Sequence, residues 1–390
     1  MPEQPIKDKT AIVGLGWTTF SRDSGRTVLD LTAEATVKAA DDAGLSPKDL
    51  DGIVTYFHER DTITPHELTH ALELPRVNYS LFNNMGGGWS SAAVLTAAML
   101  VHAGVCRNVL VYRSANGRSA RGVRGGTRQA AGESQYLLPY GILHAAATFG
   151  YRATAHMARF GTTTIDMAHL AVTQRKHAML NTKAQMRQPI SIEDHQNSRW
   201  IVYPYRLLDC CLQTDGAVAL IVTSAERARD LKHTPVHIMS GVGGEAATSG
   251  SWETNAANAA PLLYEGAGVT AKDVDVAEIY DPFTLQAMIH MEDYGFVPKG
   301  EAGGWVREGK NGLDGETPIN THGGLLSEAY FQGLNHVIEA VQQLRPEGVV
   351  DDLCNGPHTY DRTKCRQVRD AQIALTCGED GGSSLLLRRG

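Results

Sequence analysis

Residues 320–330 combine two adjacent glycines with a histidine and a tyrosine in a polar loop that leads into a helix. Gly323 and Gly324 allow unusual backbone dihedral angles and a close approach to a ligand. Tyr330 stands where the loop turns into the helix, so its phenol could project into a cleft and exchange a proton with a substrate. A buried tyrosine more often only finds a hydrogen-bond partner. The loop is therefore either catalytic or a glycine turn with a packed tyrosine.

The helix after this loop is predicted from apolar residues at three- and four-residue spacing, and Pro346 is its predicted stop. These residues are Leu334, Val337, Ile338, Val341 and Leu344. A second tyrosine, Tyr280, ends a segment that occurs twice in the chain.

The repeat consists of residues 43–56 and 267–280, which align without a gap. Each copy has the pattern of a helix end, a glycine cap, a turn and a strand. A glycine turn and an apolar helix follow both copies, and we expect strands at 108–112 and 384–387 to correspond to each other. Alternating strands and helices predict an α/β fold with parallel strands and two duplicated βαβαβ halves.

Both tyrosines lie where the chain resembles the thiolase superfamily. Residues 320–330 resemble its asparagine-glycine-glycine-to-histidine loop, with Tyr330 at the place of the catalytic histidine. Residues 278–284 resemble the segment whose asparagine or histidine helps to form an oxyanion hole, and Tyr280 stands there. The chain is identified as a member of this superfamily, whose thiolase fold has five αβαβα layers. The resemblance extends from about residue 11 to residue 388.

The resemblance also implies how the chain is divided. Residues 1–230 would form the N-terminal thiolase half, with an inserted loop region at about 114–204, and residues 231–390 the C-terminal half. The insertion is rich in Gly, Arg and His. Residues 207–219 resemble the segment that leads into the closing strand of the first half.

Two other catalytic positions of the superfamily are altered. Residues 83–92 resemble the nucleophile turn but contain no cysteine, and Met85 or a neighbouring glycine takes its place. The loop from Cys377 to Gly382 resembles the C-terminal loop with an acid–base cysteine, yet is one residue longer, so Cys377 is either catalytic or inert. Two tyrosines without the nucleophile resemble the thiolase-like aldolases of bacterial steroid side-chain degradation, which cleave a β-hydroxyacyl-CoA.

This resemblance implies a lyase that converts a β-hydroxyacyl-CoA into a ketone and a short acyl-CoA such as propionyl-CoA. Retro-aldol cleavage needs a base, an acid and a stabilised enolate, but no acyl-enzyme. Tyr280 and Tyr330 are the expected acid and base, in an order that stays open. His322 could hold the thioester oxygen together with backbone N–H groups of Gly86, Gly87 and Gly88. No cofactor is expected, since coenzyme A is part of the substrate.

Arginines of the inserted region could bind the phosphates of coenzyme A through bidentate hydrogen bonds. Arg121 and Arg124 are the candidates, and a solvated loop is the alternative. The five arginines are Arg113, Arg118, Arg121, Arg124 and Arg128. The glycines named above, including Gly323 and Gly324, are expected to border the bound thioester. The alternatives are a thiolase or acetyltransferase with an atypical nucleophile and a non-catalytic acyl-CoA or lipid carrier.

Three short motifs favour other chemistry only weakly. His66 and His70 match the zinc-protease signature, but prolines confine the helix and no third ligand stands out, so no metal is predicted. Ser90 lies in an approximate nucleophile elbow of serine hydrolases, whose last glycine is an alanine here. Residues 13–17 open like a dinucleotide fingerprint and lack its third glycine.

Composition limits the remaining classes. The 390 residues suffice for two sizeable cores, and 42% are hydrophobic. With a net charge of −7 and no apolar run near the roughly 18 residues of a spanning helix, neither nucleic acid nor membrane is an expected partner. The N-terminus lacks a signal-peptide core, and the six cysteines lack motif spacing, so a cytoplasmic protein with reduced thiols is expected. The resemblance implies a homodimer and a small partner protein with an OB-fold and a zinc ribbon.

Overall fold

The computed structural model describes residues 4–58, 61–120, 134–142, 144–244, 248, 250–345 and 360–390. The strands are β1 (Thr10–Trp17), β2 (Gly52–Tyr56), β3 (Tyr79–Asn83), β4 (Asn108–Asn116), β5 (Trp200–Val202), β6 (Tyr205–Arg206), β7 (Asp215–Ser224), β8 (Val236–Gly243), β9 (Val276–Glu278), β10 (Ile373–Cys377) and β11 (Ser383–Arg389).

The helices are α1 (Val28–Ala43), α2 (Pro65–Ala71), α3 (Ser90–His102), α4 (Ser134–Leu137), α5 (Ala145–Phe160), α6 (Thr164–Met179), α7 (Ile192–Asn197), α8 (Ala225–Ala228), α9 (Ala256–Ala267), α10 (Thr284–Asp293), α11 (Ala302–Arg307), α12 (Gly324–Ser327) and α13 (Leu334–Leu344). Short 3₁₀ turns at Gly86–Trp89 and Glu379–Gly381 carry functional candidates.

The main sheet has the strand order β3-β2-β4-β7-β1-β8-β11-β10-β9, and β5 pairs only with β6. In the first half, β2 runs parallel to β3 and β4, while β7 lies antiparallel between β4 and β1. The second half repeats this order as β9-β10-β11-β8. Ile319 makes a parallel bridge to Ala277 beside β9, at the place that β3 has beside β2. The halves meet where β1 pairs with β8.

Alternating residues of each half-sheet pack on different helices, which produces the layers. In β1, Ala11 and Val13 pack on the α1 side, whereas Ile12 joins the core around α3. Helices α3 and α13 lie between the two half-sheets, and α1 and α9 cover the outer faces. Since α3 is buried on nearly every side, its uniformly apolar sequence is required there. The predicted five-layer αβαβα arrangement of a thiolase fold is confirmed.

The repeated segment has the same local structure in both halves. Gly44 ends α1 and Gly268 ends α9, each with a positive φ, of 73° and 74°. A 3₁₀ turn follows each glycine, at Pro47–Asp49 and Ala271–Asp273, and then comes the strand β2 or β9. The predicted pattern of helix end, glycine cap, turn and strand is confirmed, and it places Tyr280 just beyond the end of β9.

One expected correspondence between the halves is wrong. The counterpart of β4 is β10, whereas residues 384–387 belong to β11, which occupies the place of β7. The continuous leucines of β11 made it the more visible strand in the sequence.

The expectation of six reduced cysteines is also wrong for Cys365, which is disulfide-bonded, while Cys106, Cys210, Cys211 and Cys377 are free thiols.

The competing motifs have structural explanations. A side chain at Gly14 or Gly16 would overlap backbone oxygens of α1, so these glycines let α1 pack closely on β1. Glu67, between the two histidines of the protease-like motif, caps α2 by accepting hydrogen bonds from the backbone N–H and the hydroxyl of Thr64.

Within the described ranges, no helix is long and apolar enough to cross a membrane. The cytoplasmic location stays a prediction.

The inserted region supports the second half. Helix α6 packs on α10, α11 and α12. Arg175 of α6 donates to Ser327 Oγ at 3.0 Å, and His177 Nδ1 lies 3.1 Å from the Asn320 carbonyl. Asn181, just beyond α6, donates to the His322 carbonyl at 2.9 Å. The insertion therefore fixes the loop that leads to Tyr330.

Candidate active site

Two tyrosines that are fifty residues apart in the chain meet through their hydroxyl groups. Tyr280 follows β9, Tyr330 precedes α13, and their hydroxyl oxygens form a hydrogen bond of 2.9 Å. Tyr280 is fully buried, whereas Tyr330 keeps partial exposure. The structure thus brings together the two tyrosines singled out in the sequence, and Tyr330 is the one nearer to solvent.

Backbone hydrogen bonds fix both tyrosines. The N–H of Tyr280 donates to the sulfur of Cys377 at 3.3 Å, and its carbonyl lies 3.0 Å from His290 Nδ1. The N–H of Tyr330 donates to Thr214 Oγ1 at 2.9 Å. Each phenol is therefore held on an element of the core, which favours a defined geometry over a mobile one.

The turn that resembles the thiolase nucleophile turn lies against the phenol of Tyr280. A side chain at Gly87 would overlap the Tyr280 hydroxyl, whereas one at Gly86 would find its nearest neighbour 3.5 Å away and one at Gly88 3.9 Å away. The Met85 side chain is 46% exposed. A side chain at Gly87, unlike one at Gly86 or Gly88, would therefore enter the volume that the Tyr280 phenol fills.

The environment keeps both phenols protonated. Burial, followed by the charges of Tyr330 and Glu379, raises the pKa of Tyr280 well above its usual value. Burial, followed by Cys211 and Glu379, likewise raises the pKa of Tyr330. Neither phenol can act as a permanently ionised base near neutral pH, so each must pass a proton on as it accepts one.

Glu379, which the sequence reasoning missed, lies beside the pair. Its carboxyl interacts electrostatically with the Tyr280 phenol. Burial, followed by the adjacent Asp380 carboxylate, raises the pKa of Glu379 to about 7, although Arg152 and Tyr280 act in the opposite direction. Arg152 itself forms an ion pair with Asp380. The available signal was the pair of acidic residues that directly follows Cys377 and Gly378.

Cys377 lies behind Tyr280 as a buried thiol. The thiol is fully buried, accepts the Tyr280 N–H, and has its pKa raised to about 12, chiefly by burial. A second thiol, Cys211, lies near Tyr330, and burial raises its pKa well above the usual value. Thiols in this state are weak nucleophiles, because the thiolate is the reactive form.

His322 lies in a buried chain of ionisable groups behind Tyr280. Its Nδ1 is 2.8 Å from Glu278 and its Nε2 is 2.9 Å from His336, whose other nitrogen is 3.0 Å from Asp281. Burial alone would lower the pKa of His322, but Glu328 and Glu278 outweigh it and raise the pKa to about 9. With both ring nitrogens in contact with protein, His322 is better placed to support the site than to touch a substrate.

Glu278, His322 and His336 are also the group of potential metal ligands among the described residues. Their atoms lie in direct contact at 2.8 and 2.9 Å, as expected for groups that share protons. The expectation of no metal stays a prediction.

The predicted binding glycines differ in what they approach. The N–H of Gly86 donates to the Phe57 carbonyl at 3.0 Å, so this N–H is engaged and cannot also bind a thioester oxygen. Gly323 and Gly324 have positive φ, and side chains there would meet Ala178 at 2.5 Å and overlap Asp281. Both glycines therefore serve close packing of the loop. Gly87 borders the Tyr280 phenol directly, whereas the nearest neighbour of a side chain at Gly88 would be the Glu379 backbone.

Arg121 and Arg124 lie outside the described residues. Arg113 is buried and binds Asp61 and Gln332, so it is a structural residue.

A cavity of about 470 Å³ is lined by Arg22, Asp23, Arg118 and Ser119. The backbone N–H groups of Arg118 and Ser119 both donate at 3.0 Å to Asp215, next to the Thr214 that anchors Tyr330. Another cavity, of about 360 Å³ around Trp305, is not lined by the tyrosines.

Comparison with known proteins shows which family the chain belongs to. Residues 226–355 match the thiolase C-terminal domain-like family. The chain is 41% identical over 364 residues to the 17-hydroxy-3-oxo-4-pregnene-20-carboxyl-CoA lyase of Mycobacterium tuberculosis, covering 88% of this chain and 93% of that protein. It is 39% identical over 359 residues to the steroid side-chain-cleaving aldolase of Thermomonospora curvata, covering 87% and 91%.

Solved structures give the same result. The Ltp2-ChsH2(DUF35) aldolase superimposes with a TM-score of 0.88 and 35% identity over 99% of both chains. The human mitochondrial 3-ketoacyl-CoA thiolase shares the fold, with a TM-score of 0.67 and 14% identity over 99% of this chain and all of that one. The predicted family is thereby confirmed: the chain belongs to the thiolase superfamily, within its group of thiolase-like aldolases.

Proposed function

We propose that this protein cleaves the Cα–Cβ bond of a β-hydroxyacyl-CoA by a retro-aldol reaction, releasing a ketone and a short acyl-CoA such as propionyl-CoA. The hydrogen-bonded pair of Tyr280 and Tyr330 is the observation that carries the proposal. Gly87 lies against the Tyr280 hydroxyl and, being a glycine, provides no nucleophilic side chain there. Acid–base groups without a nucleophile fit an aldolase and do not fit thiolysis.

The proposed proton transfers use both phenols. Tyr330, the more exposed of the two, accepts the proton of the β-hydroxyl group while its own proton moves to Tyr280, and the Tyr280 proton passes in turn to a basic group beside the pair. The Cα–Cβ electrons pass into the thioester as an enolate, and Cβ becomes the ketone carbon. The pair then returns a proton to Cα. Backbone N–H groups of Gly87 and Gly88 are the candidates for stabilising the enolate oxygen. The proton and electron balance closes without a separate cofactor.

The proposed substrate carries a steroid. This part rests on the printed names of the two relatives, a pregnene-carboxyl-CoA lyase and a steroid side-chain-cleaving aldolase. Arg22 and Arg118 at the cavity near Asp215 are candidates for binding the coenzyme A phosphates, beside the predicted Arg121 and Arg124.

Product analysis separates the candidate functions. We expect the purified protein to convert a steroid β-hydroxyacyl-CoA into ketone and short acyl-CoA without added free coenzyme A. A thiolase would instead consume a β-ketoacyl-CoA, and only when free coenzyme A is present. A carrier would bind either thioester and convert neither. Either of these two outcomes would contradict the proposal.

No acyl-enzyme is expected to accumulate during turnover. The thiols of Cys211 and Cys377, which lie close to the tyrosines, have raised pKa values and stay protonated. Intact-protein mass spectrometry after rapid mixing with the acyl-CoA should show the unmodified mass. A stoichiometric acyl adduct on either cysteine would favour the thiolase with an atypical nucleophile.

A partner protein is part of the proposal. The similar Ltp2 structure is a complex with ChsH2(DUF35), which supports a partner of this kind. We propose that the partner here is small and combines an OB-fold with a zinc ribbon. Turnover should increase when such a protein is co-purified with the chain. Equal turnover of the isolated chain would remove the requirement for the partner and leave the aldolase function intact.

We also propose a homodimer that forms through the outer edge of β3. This strand ends the described part of the main sheet, and Tyr79 on it is 40% exposed. Met85, two residues after the strand, is 46% exposed. Exposed apolar side chains beside an open strand edge are usually covered by another chain. Light scattering at micromolar concentration should give twice the 42.1 kDa chain mass, and a stable monomer would contradict the proposal.

A further inference from the structure

Glu379 is held in place at the tyrosine pair by close packing of two turns. The 3₁₀ turn Glu379–Gly381 follows β10 and lies against the turn Gly86–Trp89. A side chain at Gly378 would approach the carbonyl oxygens of Gly87 and Gly88 to 2.7 and 3.0 Å, so the two backbones are in direct contact. The first residue after this contact is Glu379, while Gly87 on the other side of the contact lies against the Tyr280 hydroxyl, so the carboxyl is held near both phenols and interacts with them electrostatically.

The surrounding charges leave the Glu379 carboxyl as the group best placed to exchange a proton with the pair. The groups that act on it are Asp380 of the same turn, Arg152 of α5, and Tyr280, and Glu379 in turn acts on Tyr330 and on the Cys211 thiol. Arg152 pairs with Asp380, and the glycine turn contributes no titratable side chain. Each phenol therefore has another proton-exchanging group beside it, in the order Tyr330, Tyr280 and Glu379.

We propose that Glu379 is the terminal proton acceptor of the tyrosine pair, an inference that rests on the retro-aldol function proposed above. The β-hydroxyl proton moves to Tyr330, the Tyr330 proton to Tyr280, and the Tyr280 proton to the Glu379 carboxylate. The electrons of the Cα–Cβ bond form the enolate. Reversal of the same relay then places one proton on Cα, and Glu379 is again a carboxylate. No oxidant, reductant or other reactant is required.

Two further observations support this role. The pKa of Glu379, raised to about 7 by burial and by Asp380, lets the carboxyl exist in both protonation states near neutral pH. A proton acceptor works best when its pKa is close to the working pH. In addition, Asp380 has a φ of 62°, an uncommon conformation for a residue other than glycine, and such backbone strain is frequent at functional sites.

The dependence of kcat/KM on pH tests the proposal. Glu379 must be ionised to accept a proton, so the wild-type rate should fall about tenfold per pH unit below its pKa of about 7. Glu379→Gln should lower kcat about 10²-fold and abolish this acidic limb, with an unchanged dissociation constant for the thioester. A variant that keeps both the wild-type rate and the wild-type pH profile would overturn the inference.

Asp380→Asn is the matched control, because it changes the neighbouring carboxylate and leaves Glu379 in place. Removing that negative charge and releasing Arg152 should lower the pKa of Glu379, so the acidic limb should move to lower pH. An unmoved limb would also count against Glu379. If the wild-type enzyme shows no cleavage at any pH, the aldolase function itself fails; if it cleaves and Glu379→Gln cleaves equally well, only the relay fails.

Discussion

Tyr330→Phe is expected to reduce cleavage about 10³-fold, within the range that general acid–base groups contribute. Phenylalanine removes only the hydroxyl that bonds Tyr280, and the backbone of residue 330 stays anchored on Thr214. Binding of the CoA thioester should therefore stay within a few-fold of wild type. Steady-state kinetics together with a direct binding measurement would distinguish loss of chemistry from loss of affinity.

Tyr280→Phe should lower kcat by a similar factor. The double mutant should be little slower than either single mutant, because mutations within one proton relay do not have additive effects. Tyr112→Phe is the matched control, because Tyr112 is a buried phenol that bonds the Ile63 carbonyl in the other half. It should cost about 1 kcal/mol of stability and leave kcat unchanged. Near-wild-type turnover of Tyr330→Phe would refute the role of the pair.

Gly87→Ala is expected to lower kcat at least about 10²-fold, although the substitution changes no titratable group. Its methyl group would overlap the Tyr280 hydroxyl, so the phenol must move away from Tyr330 and Glu379. A displacement of about 1 Å at reacting groups can cost 10²-fold in rate. Because the turn is tightly packed, the melting temperature should fall as well. Both kcat and thermal unfolding should be measured.

Gly88→Ala provides the steric comparison, since its methyl group would find the nearest atom at 3.9 Å, which is ordinary van der Waals contact. Its melting temperature should stay close to that of wild type. Equal kcat in Gly87→Ala and wild type would show that the position of the Tyr280 phenol does not limit the reaction.

The layers of the fold could be predicted because the sequence repeats them. The glycine caps at Gly44 and Gly268, the 3₁₀ turns and the following strands have the same order in both halves, and local signals of this kind are readable from spacing. The strand at 384–387 was paired with the wrong counterpart, since a run of apolar residues indicates a buried strand without indicating its neighbour in the sheet.

The candidate site was predictable only in part. Tyr280 and Tyr330 were found as substitutions in loops of recognisable pattern, but their 2.9 Å contact depends on how two distant loops pack. Glu379 was missed because its relevance lies in an electrostatic interaction with Tyr280 and in burial, neither of which leaves a periodic pattern. His322 was expected near the substrate, yet its two nitrogens contact Glu278 and His336, which no spacing revealed.

A single-turnover reaction in D₂O is the most direct test of cleavage by the tyrosine pair. Enzyme in excess over a steroid β-hydroxyacyl-CoA, with no free coenzyme A, should yield one ketone and one short acyl-CoA per substrate. Because the pair exchanges its protons with solvent and returns one to Cα, the acyl-CoA should carry one deuterium at that carbon. Tyr330→Phe should give neither product above background. Products that form only after coenzyme A is added, or an acyl group bound to the protein, would contradict retro-aldol cleavage by Tyr280 and Tyr330.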